Sequence, residues 1–184
     1  MSGYYNTSSS YSGQPAFKRS RSIKSDHEID LNGPIEVVGS VKSGSSINLN
    51  GDVIVREKLD AYGGIGLNGS IRCDGKVKAY GNILVSGYFV ANDKIKGCGK
   101  LRVVGTLEGT DVEIYGNVSI TGYLYVFFCD LYLDVRLTEP RKCRRLVVYG
   151  NLTLIGGDSS YYVEESEQVA GAVMVRDTEP DWDW

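Results

Sequence analysis

The chain has 184 residues, with 20 basic against 23 acidic side chains and a formal net charge of -3. Such a balance argues against a nucleic-acid binder driven by a dominant positive field. Glycine is abundant at 23 residues and proline scarce at 4, a composition suited to many sharp corners whose neighbouring N–H groups stay free to pair. The four cysteines, Cys73, Cys98, Cys129 and Cys143, form no C-x-x-C, and the one histidine, His27, lies in a polar segment. No zinc site is expected from that set. Neither a secretory apolar stretch nor a run of ~18 apolar residues is present, so the expectation is a cytoplasmic protein with reduced thiols.

In chain order, residues 1–28 read as a disordered tail. They are rich in Ser, Tyr and Gly, then basic in AFKRSRSIK, and such a segment buries too little apolar surface to fold alone. Lys18, Arg19, Arg21 and Lys24 form its basic end. They offer a weak contact with acidic lipid or protein, tunable by phosphorylation at Ser20 or Ser22, or serve only as a solvated leader.

From Ile29 the chain falls into rows of 18: IDLNGPIEVVGSVKSGSS, INLNGDVIVREKLDAYGG, IGLNGSIRCDGKVKAYGN and ILVSGYFVANDKIKGCGK, with a shorter row from Leu101 and a sixth from Val118. Each row splits into three sixes. The first position is large and apolar, as in Ile29, Ile35 and Val41. The third is apolar or small, as in Leu49, Val55 and Ala61, and the fifth is commonly Gly. Apolar residues at positions one and three give the period of two of a short strand with one buried face. Glycine permits a positive φ at the corner. Three strands and three corners make one triangular coil, and successive coils stack about 4.8 Å apart in parallel. One coil cannot bury its own apolar edge, so the stack is the stable unit. The predicted fold is all-β: a single-stranded parallel β-solenoid of about 18 residues per turn and six to seven turns. An antiparallel sandwich also alternates and turns at glycine, but it does not hold one register through successive rows.

The solenoid domain is assigned to 29–157. It is irregular at 136–145, where RLTEPRKCRR is polar and basic, before LVVYGN and LTLIGG resume the pattern. Residues 158–184 read as an acidic tail. Within it, VAGAVMV is either a cap or a free segment, and Trp182 and Trp184 between acids are a candidate docking motif. Stacking should align Tyr62, Tyr80, Tyr115 and Tyr149 as a lateral aromatic ladder, and Asn32, Asn50 and Asn68 as an amide ladder. In row six, Tyr123, Tyr125 and Phe127 make the outer face apolar as well, which requires a cover from 136–145 or from another subunit. No amphipathic capping helix flanks the rows, so the ends are expected to be open and able to meet.

The stretch KLRVVGTLEGTDVEIYGNVSITGYLYV, with its V-x-G-x-L-x-G and V-x-I-x-G steps, resembles the bactofilins, polymer-forming cytoskeletal proteins, over roughly 29–135. The resemblance implies a right-handed triangular β-helix with disordered tails. It also implies nucleotide-free, apolar filaments formed through the coil ends, and scaffolding at a membrane or cell envelope. The expected partner is therefore the chain itself, as a homopolymer. The expected interface residues are Ile29, Leu31, Tyr125, Phe127 and Phe128. A peripheral membrane contact is left open, and no nucleic acid, small-molecule substrate or cofactor is expected.

Catalytic readings are weak. Hexapeptide acyltransferases share 18-residue coils, but they rely on histidine chemistry, and His27 lies outside the rows. No Ser–His–Asp set or Walker loop is present, and Asp60, Asp74, Glu108 and Asp111 are scattered. No catalytic, cofactor-binding or metal residue is assigned. A monomeric adaptor, with tails that bind partners and a rod as spacer, is the main alternative to a filament.

Overall fold

The structure is a computed structural model that describes residues 17–132, 135–137, 141–155 and 161–176. The described chain is a parallel β-solenoid of about eight turns, about 18 residues each, with no helix. Alternation dictates it directly. In Ile47–Val55 the side chains of Ile47, Leu49, Val53 and Val55 are fully buried while Gly51 and Asp52 face out. The same alternation recurs in Ile65–Cys73 and Ile83–Gly97.

The coil has three faces. On face A the register runs Ile29, Ile47, Ile65, Ile83, Leu101, Val118, Val135, Leu152, Val173. Face B begins with Lys18 over Ile35 and continues through Val53, Ile71, Phe89, Leu107 and Leu124. Face C runs Ile23, Val41, Leu59, Val77, Ile95, Val112, Cys129 and Leu146. The shorter turns after Leu101 lose their residue at the corner between faces B and C: Ala91 pairs with Gly109, but Lys94 pairs with Asp111. The missing residue is absorbed in the corner, so every apolar column stays in line. Phe89, 0% exposed, fills the middle of the core. Ser43 is as deeply buried, and it is satisfied because its hydroxyl donates to the His27 carbonyl at 2.7 Å and accepts from the Ser45 N–H.

Two kinds of glycine build the corners. Between faces A and B, Gly69, Gly87, Gly105 and Gly122 all have φ between +114° and +129°, a region that L side chains rarely adopt. Between faces C and A the glycines are needed for space: a Cβ on Gly116 would lie 2.1 Å from the Gly99 carbonyl oxygen. Positive φ, expected at every corner, is thus confined to one of them.

The ladder extends past the expected limits of 29–157 at both ends. Within the segment read as a disordered tail, Lys18–Ser20 pairs with Ile35–Val37 and Ile23–Ser25 with Val41–Ser43. Within the acidic tail, Tyr161–Val169 pairs with Arg141–Val148, and Val173–Arg176 with Leu152–Ile155. A short polar segment can join because its backbone completes a ladder already nucleated by the coil beside it. The stretch read as irregular, 136–145, contributes Arg141–Val148 to the stack in register with Tyr125–Leu131. Residues 1–16 and 177–184, with Trp182 and Trp184, lie outside the described residues.

Gly105→Ala should lower stability by about 1–3 kcal/mol in urea unfolding, because its φ is +129° and the new Cβ would sit 2.1 Å from the Gly87 oxygen. Gly109→Ala meets only ordinary contacts at 3.5 Å or more and should stay within about 1 kcal/mol of wild type. Equal effects at the two positions would refute this account of the corner.

Candidate assembly surfaces

Side chains at inward positions are covered only while another coil lies beyond them. Leu49 and Val53 inside the stack are 0% exposed. In the last described strand of face A, Val173 and Val175 continue the columns of Leu152 and Leu154, yet they are 50% and 69% exposed. Val163 and Val169 of the same terminal coil are half-buried against the core. At the other end Phe17 is exposed, and Ile23 and Leu31 are half-buried. Both ends of the described ladder therefore present core residues and strand edges.

The expected interface residues separate into two places. Ile29 and Leu31 lie on the first described strand of face A, at the N-terminal end, with Ile29 buried. Tyr125, Phe127 and Phe128 do not lie at an end. Tyr125 is stacked under Lys142 and then Tyr162, and Phe128 under Arg145 and then Ser166. They are lateral because the ladder continues past row six. Tyr125 and Phe127 remain exposed and line a shallow groove of about 410 Å³ with Val90, Glu108, Cys143 and Glu164. Of the two covers expected, 136–145 or another subunit, the first supplies Arg141–Val148 as the next strand of the coil. The Arg145 guanidinium lies 5.4 Å from the Phe128 ring centre.

The lateral tyrosines do stack. Tyr62 and Tyr80 have centroids 5.2 Å apart. A second run joins Tyr115, Tyr132 and Tyr149 at 4.3 and 4.7 Å. Cys98 interrupts the column between the two runs. Tyr132 was missed because the shortened sixth row shifts it out of an 18-residue register. Lys78 and Lys96 sit over Tyr80 and Tyr115, 4.4 and 5.1 Å from their ring centres. The three asparagines align in register.

Opposite charges alternate up the outside. Arg19 and Arg56 both contact the buried Glu36, at 2.8 and 2.7 Å, and Arg56 continues to Asp74 at 3.0 Å. Hydrogen bonds from Arg56 and then Arg19 hold the Glu36 carboxyl below its ordinary range. Of the predicted basic contacts, Arg19 is thus engaged in the ladder, while Lys18, Arg21 and Lys24 are exposed. A second cluster centres on Glu113, which contacts Lys94, Lys96 and the Tyr115 hydroxyl. Hydrogen bonds from Lys94, Lys96 and Tyr115 hold its carboxyl down to about 2. Asp60, Asp74 and Asp111 are likewise ladder residues, paired with Lys42, Arg56 and Lys94. Cys73, Cys129 and Cys143 are buried, and burial pushes the Cys73 thiol up to about 11, which keeps it protonated. No cluster of metal-ligating side chains and no helix long and apolar enough to cross a membrane occurs among the described residues.

Tyr132→Ala removes both ring contacts of its run, with Tyr115 and with Tyr149, and should cost about 1–3 kcal/mol in thermal unfolding. Loss of assembly without loss of stability would instead assign the ladder to contacts between rods. Glu113 titrates below its unfolded value, so its stabilisation is present above the ordinary carboxylate pKa of 4.5 and is lost as pH falls toward about 2. Glu113→Gln should accordingly flatten the decline of Tm across that window; an unchanged decline would dismiss the cluster as a source of acid sensitivity. Comparison of the chain with protein-family models, curated proteins and solved structures finds no match.

Proposed function

We propose that this chain is a self-assembling structural scaffold of the cytoplasm, whose solenoids associate end to end into filaments without nucleotide and without catalysis. The observation that carries this reading is the exposure of core-position side chains at the ends of the described ladder, above all Val173 and Val175. Edge strands with free N–H and C=O groups template pairing with another chain. When such a contact repeats without closing, it makes a filament. Covering the valines adds about 1–2 kcal/mol each, and the paired strand edges add directionality. The resemblance of the repeat to bactofilins points the same way. This reading keeps the end-to-end contact and moves it from Tyr125, Phe127 and Phe128 to the last described coil, Tyr161–Arg176.

Electron microscopy and light scattering of the full chain test this. Wild type should form long rods at micromolar concentration. Val173→Arg with Val175→Arg should raise the concentration needed for assembly at least about tenfold, with the β circular dichroism intact. A wild-type chain that stays monomeric would sink the filament and favour the adaptor reading, in which the rod is only a spacer.

A further inference from the structure

The column of outward tyrosines on face C skips one coil, at Cys98. Ala79 pairs with Gly97 and Gly97 with Ile114, so the residues that follow them, Tyr80, Cys98 and Tyr115, stand on successive coils. Within each run the rings lie one coil apart, at 5.2 Å for Tyr62 and Tyr80 and 4.3 Å for Tyr115 and Tyr132. Tyr80 and Tyr115 are two coils apart, about 9.6 Å at the backbone, which is two stacking steps and not one. Between these exposed tyrosines, over the exposed Cys98, there is a slot one ring thick.

The charge beside the slot is basic. Lys94 and Lys96 are held by Glu113, and Lys42 by Asp60. Lys78 donates to the Tyr80 hydroxyl at 2.7 Å. The exposed Lys58 and Lys76 have no hydrogen-bond or ion-pair partner among the described residues. A ligand that fits both features is an aromatic ring flanked by acids, and the chain itself carries one: in DTEPDWDW, residues 177–184, Trp182 stands between Asp181 and Asp183.

We propose that the slot at Cys98 takes a tryptophan of this acidic segment from a second copy of the chain, so that rods are linked side by side. The indole continues the tyrosine column across its missing step. The long lysine side chains reach the carboxylates beside it. An anionic lipid headgroup would satisfy the lysines but bring no ring for the slot. Reach assigns the segment to a second copy. Val175 lies four coils beyond Val103 in one column, about 19 Å along the axis, and Cys98 lies across the corner between faces C and A. The six residues from Arg176 to Trp182 span at most about 21 Å when fully extended, which leaves almost nothing to turn that corner on the chain's own rod.

Trp182 and Trp184 are the only tryptophans, so their emission reports this contact directly. In the full wild-type chain it should be blue-shifted and shielded from acrylamide, and added salt should reduce the shielding by screening the lysine–aspartate contacts. Cys98→Tyr fills the slot and should abolish the shift and the shielding while the β circular dichroism and Tm are kept. Lys58→Glu with Lys76→Glu should abolish them as well. Mixing two variants identifies the donor of the ring. A Trp182→Ala/Trp184→Ala chain keeps the slot and has no tryptophan emission, and a Cys98→Tyr chain keeps the tryptophans and has no slot. Together they should regain the shift and the shielding. Exposed tryptophans in wild type, or shielding that survives Cys98→Tyr, would overturn the proposal. A mixture without recovery would do the same, and would give the slot to the chain's own segment or to an acidic aromatic segment of another protein. This contact is lateral and does not depend on the coil ends: a wild type that shields its tryptophans yet forms no rods would sink the end-to-end reading and keep this one.

Discussion

Parallel in-register stacking is the constraint on which this molecule depends. Each coil hydrogen-bonds to the coils on either side and hides its apolar strand residues only by virtue of them. Ile47, Ile65 and Ile83 are buried as members of a column, with Ile29 before them and Leu101 after. Stability of this kind is a sum over neighbours, so the interior is well satisfied and the cost collects at the two ends. That cost is visible in Val175, which occupies a core position and yet is largely solvent-facing.

The same stacking organises the outside. A side chain repeated at one position of the coil becomes a column with the spacing of a β-ladder, and the columns carry different chemistry. Tyrosines at one position stack on themselves, and lysines lie over their rings. Across two adjoining columns, acids and bases alternate from Arg19 through Glu36 and Arg56 to Asp74. Like charges directly opposed would destabilise the ladder, so alternation turns a repeat that would repel itself into one that holds together.

The glycines show why the repeat is tolerant at some positions and rigid at others. At the corner between faces A and B, successive glycines sit so closely that a Cβ on one would reach the carbonyl of the one before it. Residues at the corner between faces B and C are free to vary in number, and it is there that the turns shorten while the core columns remain aligned.

The amino-acid sequence by itself determined the solenoid, its coil length and most of its core, because a period of two within a period of 18 is a local pattern that the eye can read in rows. It also placed most of the tyrosine column and the ends as the places of interest. Only the tertiary structure decided how far the described ladder runs beyond the rows. Lys18–Ser20 and Ile23–Ser25 are too short and too polar to announce themselves as strands, and Val173–Arg176 follows a turn of 21 residues that breaks the register. These segments become strands because an existing edge offers them backbone partners, and that information resides in the neighbouring coil and not in their own residues. For the same reason Tyr125, Phe127 and Phe128, which look terminal when the rows are taken to end soon after them, stand on the side of a longer rod.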